Sequence, residues 1–210
     1  MCVTLAAARG EFGEPFRKGV VWLTASAGVE SSLLNRVAAR LGVLKAERDL
    51  SLQGWPWKPN TSSWVEPTAH ALVALKKAPA NFTNEHLRER VRVGEAQILN
   101  VRCRDGGWNY GSPVALGVDL PSYPETTALA LLGLQGRGDL DGALETAARM
   151  ARETVSPLAQ AWLRVALRLH GAEAPAASQA ELQSDVMITA IEALAAPEGN
   201  YHLFKTGGAA

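Results

Sequence analysis

Tyr123-Pro124-Glu125-Thr126-Thr127-Ala128-Leu129-Ala130-Leu131-Leu132 is the stretch on which the fold turns. From Thr126 to Leu134 it is apolar on nearly every face, and a helix that is apolar all round is buried all round. A glycine-tryptophan loop precedes it: Arg104-Asp105-Gly106-Gly107-Trp108-Asn109-Tyr110-Gly111, running on through Pro113, Pro121 and Pro124. The same pair of features occurs earlier in the chain. Gly54-Trp55-Pro56-Trp57 matches Gly107-Trp108-Asn109-Tyr110 at an offset of 53 residues. Trp64-Val65-Glu66-Pro67-Thr68-Ala69-His70-Ala71-Leu72 matches Tyr123 to Leu131 at an offset of 59. The second copy therefore carries a loop six residues longer. A weaker third echo, Asp185-Val186-Met187-Ile188-Thr189-Ala190, lacks the aromatic. Repeats of this size are stacked units that bury one another's faces.

The rest of the chain fits alternating helices. No strand-like alternation is sustained, whereas helical spacing recurs. A short apolar helix is expected from Phe16 to Ser26, and another from about Glu30 to Leu44 on Leu33, Leu34, Val37, Leu41 and Leu44. A compact apolar helix follows from Thr68 to Lys77. The next starts near Thr83 or Asn84, both good N-caps, and shows a stripe of Leu87, Val91, Gly94, Ile98 and Val101. Leu140 to Thr154 is amphipathic. Ser156-Pro157 opens a helix that Gly171 closes. Ser178 with Glu181 forms a capping box for a last helical region running toward Ala195. In the repeat unit, glycine lets the chain turn beside a bulky ring, and the indole N–H is expected to bond a loop carbonyl. The Glu falls in the first turn of the following helix, facing its positive end.

Composition narrows the function classes. The 210 residues are 47% apolar and 20% charged, which fits one globular domain spanning 1–210. Lys plus Arg and Asp plus Glu number 21 each, without the basic excess of a nucleic-acid binder. Arg88, Arg90, Arg92, Arg102 and Arg104 alternate with Glu85, Glu89 and Glu95, as on a solvated helix face laced with i,i+4 pairs. With Cys2 and Cys103 alone, a disulfide scaffold is not expected and a reducing compartment fits. The segment Met1 to Arg9 lacks the charged start of a signal peptide, and no apolar run approaches the roughly 20 residues of a membrane span. The expected location is cytoplasmic, with no transmembrane segment.

Asp105-Gly106-Gly107-Trp108 followed by Tyr123 to Leu132 resembles the prenyltransferase and squalene-oxidase repeat of squalene–hopene cyclases, oxidosqualene cyclases and protein prenyltransferase β-subunits. Gln97 suits that repeat's Gln ahead of Gly-x-Trp. The resemblance is good over 54–134. It implies an all-α fold, an α/α toroid or a partial toroid, with the Thr68, Thr127, Pro157 and Thr189 segments as inner helices. It also implies an isoprenoid or other apolar ligand in a central cavity. The cyclase's Asp-x-Asp-Asp-Thr-Ala segment, aligned on Thr127-Ala128, places Glu125 at the catalytic acid, with Tyr123 and Thr126 in place of the flanking acids. Glu66 occupies the same place in the first copy. A lone Glu in both copies also fits a helix-start role, and alkene protonation needs an acid tuned by partners. Prenyltransferases hold zinc with Asp, Cys and His. Here Cys103 precedes Asp105, reversing the family order, and no metal or other cofactor is expected.

Glu125 is thus the candidate catalytic residue, and Trp64, Glu66, His70, Trp108, Tyr123 and Glu125 are the candidate substrate-binding residues. His86, His170 and His202 carry no ligand spacing, and Asp139 and Asp141 read as first-turn helix acids. Three functions follow. The first is a divergent isoprenoid-handling protein without an intact acid cluster or zinc triad. The second is a non-catalytic helical repeat scaffold that binds a protein or peptide, or associates with itself through exposed toroid edges. The third is a carbohydrate-active toroid in which Glu66 and Glu125 face one another.

Overall fold

The computed structural model describes residues 13–30, 37, 41, 48–78, 84–176 and 185–206. The fold is predominantly α-helical among these residues, with one two-stranded hairpin. In chain order the elements are α1 (Gly13–Ala25), α2 (Val65–Lys76), α3 (Glu85–Asn100), β1 (Val114–Ala115), β2 (Val118–Asp119), α4 (Pro124–Gly133), α5 (Asp141–Glu153), α6 (Pro157–Leu169), α7 (Val186–Ala195) and a 3-10 turn (Asn200–Phe204). The expected helix over Glu30 to Leu44 falls almost entirely outside the described residues, as does the Ser178–Glu181 capping box. The described part of the last helical region is α7, capped by Asp185, whose carboxylate accepts from the N–H groups of Met187 and Ile188.

The helices form a row with return helices packed against it. α2 packs on α4, α4 on α6 and α6 on α7, while α1 and α3 lie against α2, and α5 lies against α4 and α6. Burial follows the sequence pattern. In α4 every residue from Thr126 to Gly133 is buried, whereas α5 buries a single face of Ala143, Thr146, Ala147, Met150 and Ala151.

Contacts at both ends fix the direction of the row. At one end the Val65 N–H donates to the Tyr110 carbonyl (3.1 Å). The Tyr110 ring lies 5.9 Å from Trp64 and 5.4 Å from Tyr123, the residues that precede α2 and α4. At the other end Lys76 Nζ donates to the carbonyls of Gly133 and Gln135, both at 2.7 Å. The same logic joins α4 to α6. Ser156, the N-cap of α6, donates to Glu125 in the first turn of α4 (3.2 Å). His170 Nε2, just past the end of α6, donates to the Leu131 carbonyl (2.8 Å). α2, α4 and α6 therefore run parallel.

The two sequence repeats share the bonds made by their tryptophans. The backbone N–H of Trp55 donates to Thr68 Oγ1 (2.9 Å), and that of Trp108 donates to Thr127 Oγ1 (3.0 Å). The Trp64 N–H donates to the Trp55 carbonyl (3.1 Å), and the Tyr123 N–H to the Trp108 carbonyl (2.9 Å). The indole N–H groups reach helix ends rather than the expected loop carbonyls. Trp55 Nε1 donates to Leu23 O (2.9 Å), and Trp108 Nε1 donates to Ile98 O (2.7 Å). The reason is that the last carbonyls of a helix have no partner within it. Leu23 and Ile98 each lie two residues before the end of their helix.

Several expectations shift. α2 and α4 begin at Val65 and Pro124, earlier than the apolar run suggested, because Trp64 and Tyr123 take extended N-cap backbone and Pro124 fills the first helical position. The six extra residues of the second loop form the β1–β2 hairpin, a strand pair too short to show alternation. Its turn places Leu116 and Gly117 at positive φ (53° and 76°), as a tight hairpin turn requires. The arginine group divides. Arg88 and Arg92 pair with Glu85 and Glu89 at i,i+3 spacing on the surface. Arg90 instead turns inward and is only 9% exposed. It donates to the carbonyls of Ser26, Gln53 and Gly54 and lies 3.7 Å over the Trp55 ring. Burial without a carboxylate partner pushes its guanidinium down to about 10.

Gly107 is required by close approach. A Cβ there would sit 2.6 Å from both Ser122 Oγ and Thr127 Oγ1. Gly107→Ala is expected to lower stability by about 1–3 kcal/mol through overpacking. Trp108→Phe, which removes the buried indole bond to the Ile98 carbonyl and leaves a gap beside the ring, should cost about 1–3 kcal/mol. Urea unfolding followed by far-ultraviolet circular dichroism measures both, and wild-type midpoints for either variant would overturn the assignment.

Candidate functional site

The candidate residues collect at the N-terminal end of the α2–α4–α6 row, with one exception. Trp108 is 0% exposed and its indole is engaged by Ile98, so it offers a ligand no surface. Trp64 and Tyr123, each 40% exposed, flank Tyr110 at 55%. The three rings touch in sequence with interplanar angles of 53° and 44°. Tyr110 is the residue that sequence reasoning passed over. Its signal was present in the repeat, because Trp57 and Tyr110 occupy one position of the two copies, and Trp57 is exposed as well.

Glu66 and Glu125 hold the same helical position, in the first turns of α2 and α4. Their surroundings differ. Glu66 lies 3.9 Å from His70 Nε2. Burial raises the Glu66 carboxyl above the usual range, and burial lowers the His70 imidazole below its own. An ion pair would move both the other way, so burial outweighs the attraction between the two groups at this distance. Glu125 accepts the hydroxyl hydrogen bond of Ser156. Neither carboxylate meets a Lys or Arg side chain among the described residues. Arg48 donates to the Gly111 carbonyl (2.8 Å) and lies 4.0 Å from Glu30.

The remaining chemical candidates serve the fold. Asp105 accepts the N–H groups of Ser122 (2.9 Å) and Gly107 (3.3 Å) and so shapes the Gly-Trp turn. Burial pushes its carboxyl up, but these donors hold it below the usual range. Cys103 is buried, and burial raises its thiol. Among the described residues no three His, Cys, Asp or Glu side chains converge as a metal site would need. Asp139 pairs with Arg137 (2.6 Å), which also approaches Glu95 (3.6 Å). Among the described residues no helix is long and apolar enough to cross a membrane.

No protein-family model, no curated protein and no solved structure matches this chain.

The two histidines give a pH signature. Burial lowers the folded values of His70 and His170. Below about pH 6.5, the ordinary histidine value, the unfolded chain takes up protons that the folded chain refuses. Stability should therefore fall as pH drops through that value and level off below the lowered folded values. His170→Gln, which keeps a donor for Leu131, should flatten the pH profile of the urea midpoint between pH 7.5 and 5.5. An unchanged slope would remove His170 from the account.

Proposed function

We propose that the chain is an arc of the α/α-toroid kind, built on the prenyltransferase and squalene-oxidase repeat plan, and that it acts as a non-catalytic scaffold binding a peptide segment of a partner protein. A parallel row of buried helices, each joined to the next through a return helix, supports the toroid arrangement. The duplicated Gly-Trp turn, locked in both copies by the same threonine, supports the repeat plan.

One observation carries the binding role. Three aromatic rings stand together and exposed at the N-terminal end of the row, although the sequence has an apolar interior in which to bury them. Exposed aromatics are the residues interfaces favour, since they bring large area at small entropic cost. A non-catalytic role is supported at Glu125. A cyclase-type acid must be strongly acidic and kept protonated by partner acids. Glu125 has a serine hydroxyl beside it instead.

A second reading, an isoprenoid-handling protein, is favoured by the position of the same rings. Trp64 and Tyr123 lie two residues before Glu66 and Glu125, the place where a cyclase keeps its acid, and aromatic faces attract carbocations.

The experiment has two arms. A random peptide library displayed on phage is selected on the full-length protein and counter-selected on Tyr110→Ala. Peptides enriched on wild type and lost on the variant are expected. In parallel, squalene and farnesyl diphosphate are incubated with the protein and extracted for product analysis, with none expected. Absence of any Tyr110-dependent peptide would sink the scaffold, and a cyclised or transferred product abolished by Glu125→Gln would establish the second reading in its place.

A further inference from the structure

We infer that the aromatic edge formed by Trp64, Tyr110 and Tyr123, with Glu66 and Glu125 beside it, recognises an arginine side chain on the partner peptide. This inference rests on the peptide-binding reading above and names the chemistry of its partner.

The first support is charge. The patch brings two carboxylates to neighbouring helix starts, and neither is matched by a Lys or Arg among the described residues. Glu66 is half-buried, and burial penalises its ionised form, so a cation docking there would favour the carboxylate. Arg48 does not fill this role, since its guanidinium is held by the Gly111 carbonyl and Glu30. His70 cannot supply a firm charge, because burial keeps it neutral near pH 7.

Ring geometry is the second support. Rings inclined at 53° and 44° to one another form an angled wall rather than a flat stack. Such a wall offers more than one π-face to a single cation.

The third support is the chain's own precedent. In both repeats an arginine covers the buried tryptophan: Arg90 stands 3.7 Å over Trp55, and Arg102 stands 5.4 Å from the Trp108 ring centroid. Each also donates to carbonyls of the adjoining turn. Trp64, Tyr110 and Tyr123 have no arginine over them among the described residues. Arginine suits the place better than lysine. Its planar guanidinium stacks on a ring while its edge donates to a carboxylate, whereas an ammonium is a compact, strongly hydrated point charge.

The test uses synthetic fluorescent peptides carrying the sequence selected on the full-length protein. Each is made with arginine, with lysine, and with citrulline, which keeps the shape and loses the charge. Binding is read by fluorescence anisotropy. The arginine peptide is expected to bind at least about tenfold more tightly than its citrulline twin, the loss of a cation–π contact and a charge-assisted hydrogen bond. It should also bind more tightly than the lysine form and weaken as salt rises. Glu66→Gln and Tyr110→Ala should each weaken the arginine peptide by a larger factor than the citrulline peptide, and Glu66→Gln should leave the thermal unfolding midpoint unchanged. Equal affinity for the arginine and citrulline peptides would overturn the arginine assignment and leave peptide binding intact. Selection of no peptide at all would overturn both.

Discussion

Everything else in the fold hangs on one exchange of hydrogen bonds, between a tryptophan in a glycine turn and a threonine one turn inside the next helix. Thr68 and Thr127 each accept their tryptophan's backbone N–H. The indole meanwhile crosses to the C-terminal carbonyls of the preceding helix. One residue thereby joins three elements: the return helix before it, the turn it belongs to, and the row helix after it. The ring is also the largest apolar body in the unit, so its burial and its polar bond act in the same direction. A buried N–H left unpaired costs more than a made bond returns, so the arrangement tolerates little displacement. The same constraint explains why only glycine fits ahead of the tryptophan, where a Cβ would strike the threonine hydroxyl.

That clamp fixes the N-terminal ends of α2 and α4, and a part-buried charge ties their other ends. Lys76 binds two carbonyls past the end of α4 and pairs with Glu95 of α3. Burial lowers the Lys76 ammonium while Glu95 works to retain its proton. Removing either partner would strand a charge in a part-buried site, which costs more than the pair contributes. Arg90 is a second buried cation at the first Gly-Trp turn, donating to the turn carbonyls of Gln53 and Gly54 and to that of Ser26 just past α1. The result is asymmetric. The C-terminal ends of α2 and α4 are tied through Lys76, while the N-terminal end leaves its aromatic rings outside.

The sequence made the amphipathic and wholly apolar helices legible, because their periods differ and their caps are explicit. Asn84, Ser156 and Gly171 mark real boundaries. The starts of α2 and α4 were not legible from apolar spacing, since Val65-Glu66-Pro67 and Pro124-Glu125 look like loop while backbone geometry makes them the first turn. Arg90 was illegible for a related reason. Its neighbours Arg88 and Arg92 pair with glutamates one turn earlier, and only the tertiary packing of α3 against the Trp55 turn separates a buried arginine from exposed ones. At the candidate site, Trp64 and Tyr123 were legible from the repeat. Tyr110 joins them only because the β1–β2 insertion lets the second loop bring its ring between the two helix starts.

The paired glutamates show how far a repeat can carry a functional argument. Equivalent positions gave Glu66 and Glu125 the same helix-start geometry, yet one lies against a neutral histidine and the other against a serine hydroxyl. An acid–base pair of the glycoside-hydrolysing type needs its carboxylates on opposite sides of a bond, several ångströms apart across a cleft. Here they belong to adjacent helices of one parallel row and stand at the same end of it. The proposed arginine site takes them as two carboxylates near exposed aromatic rings, a combination that favours a cation.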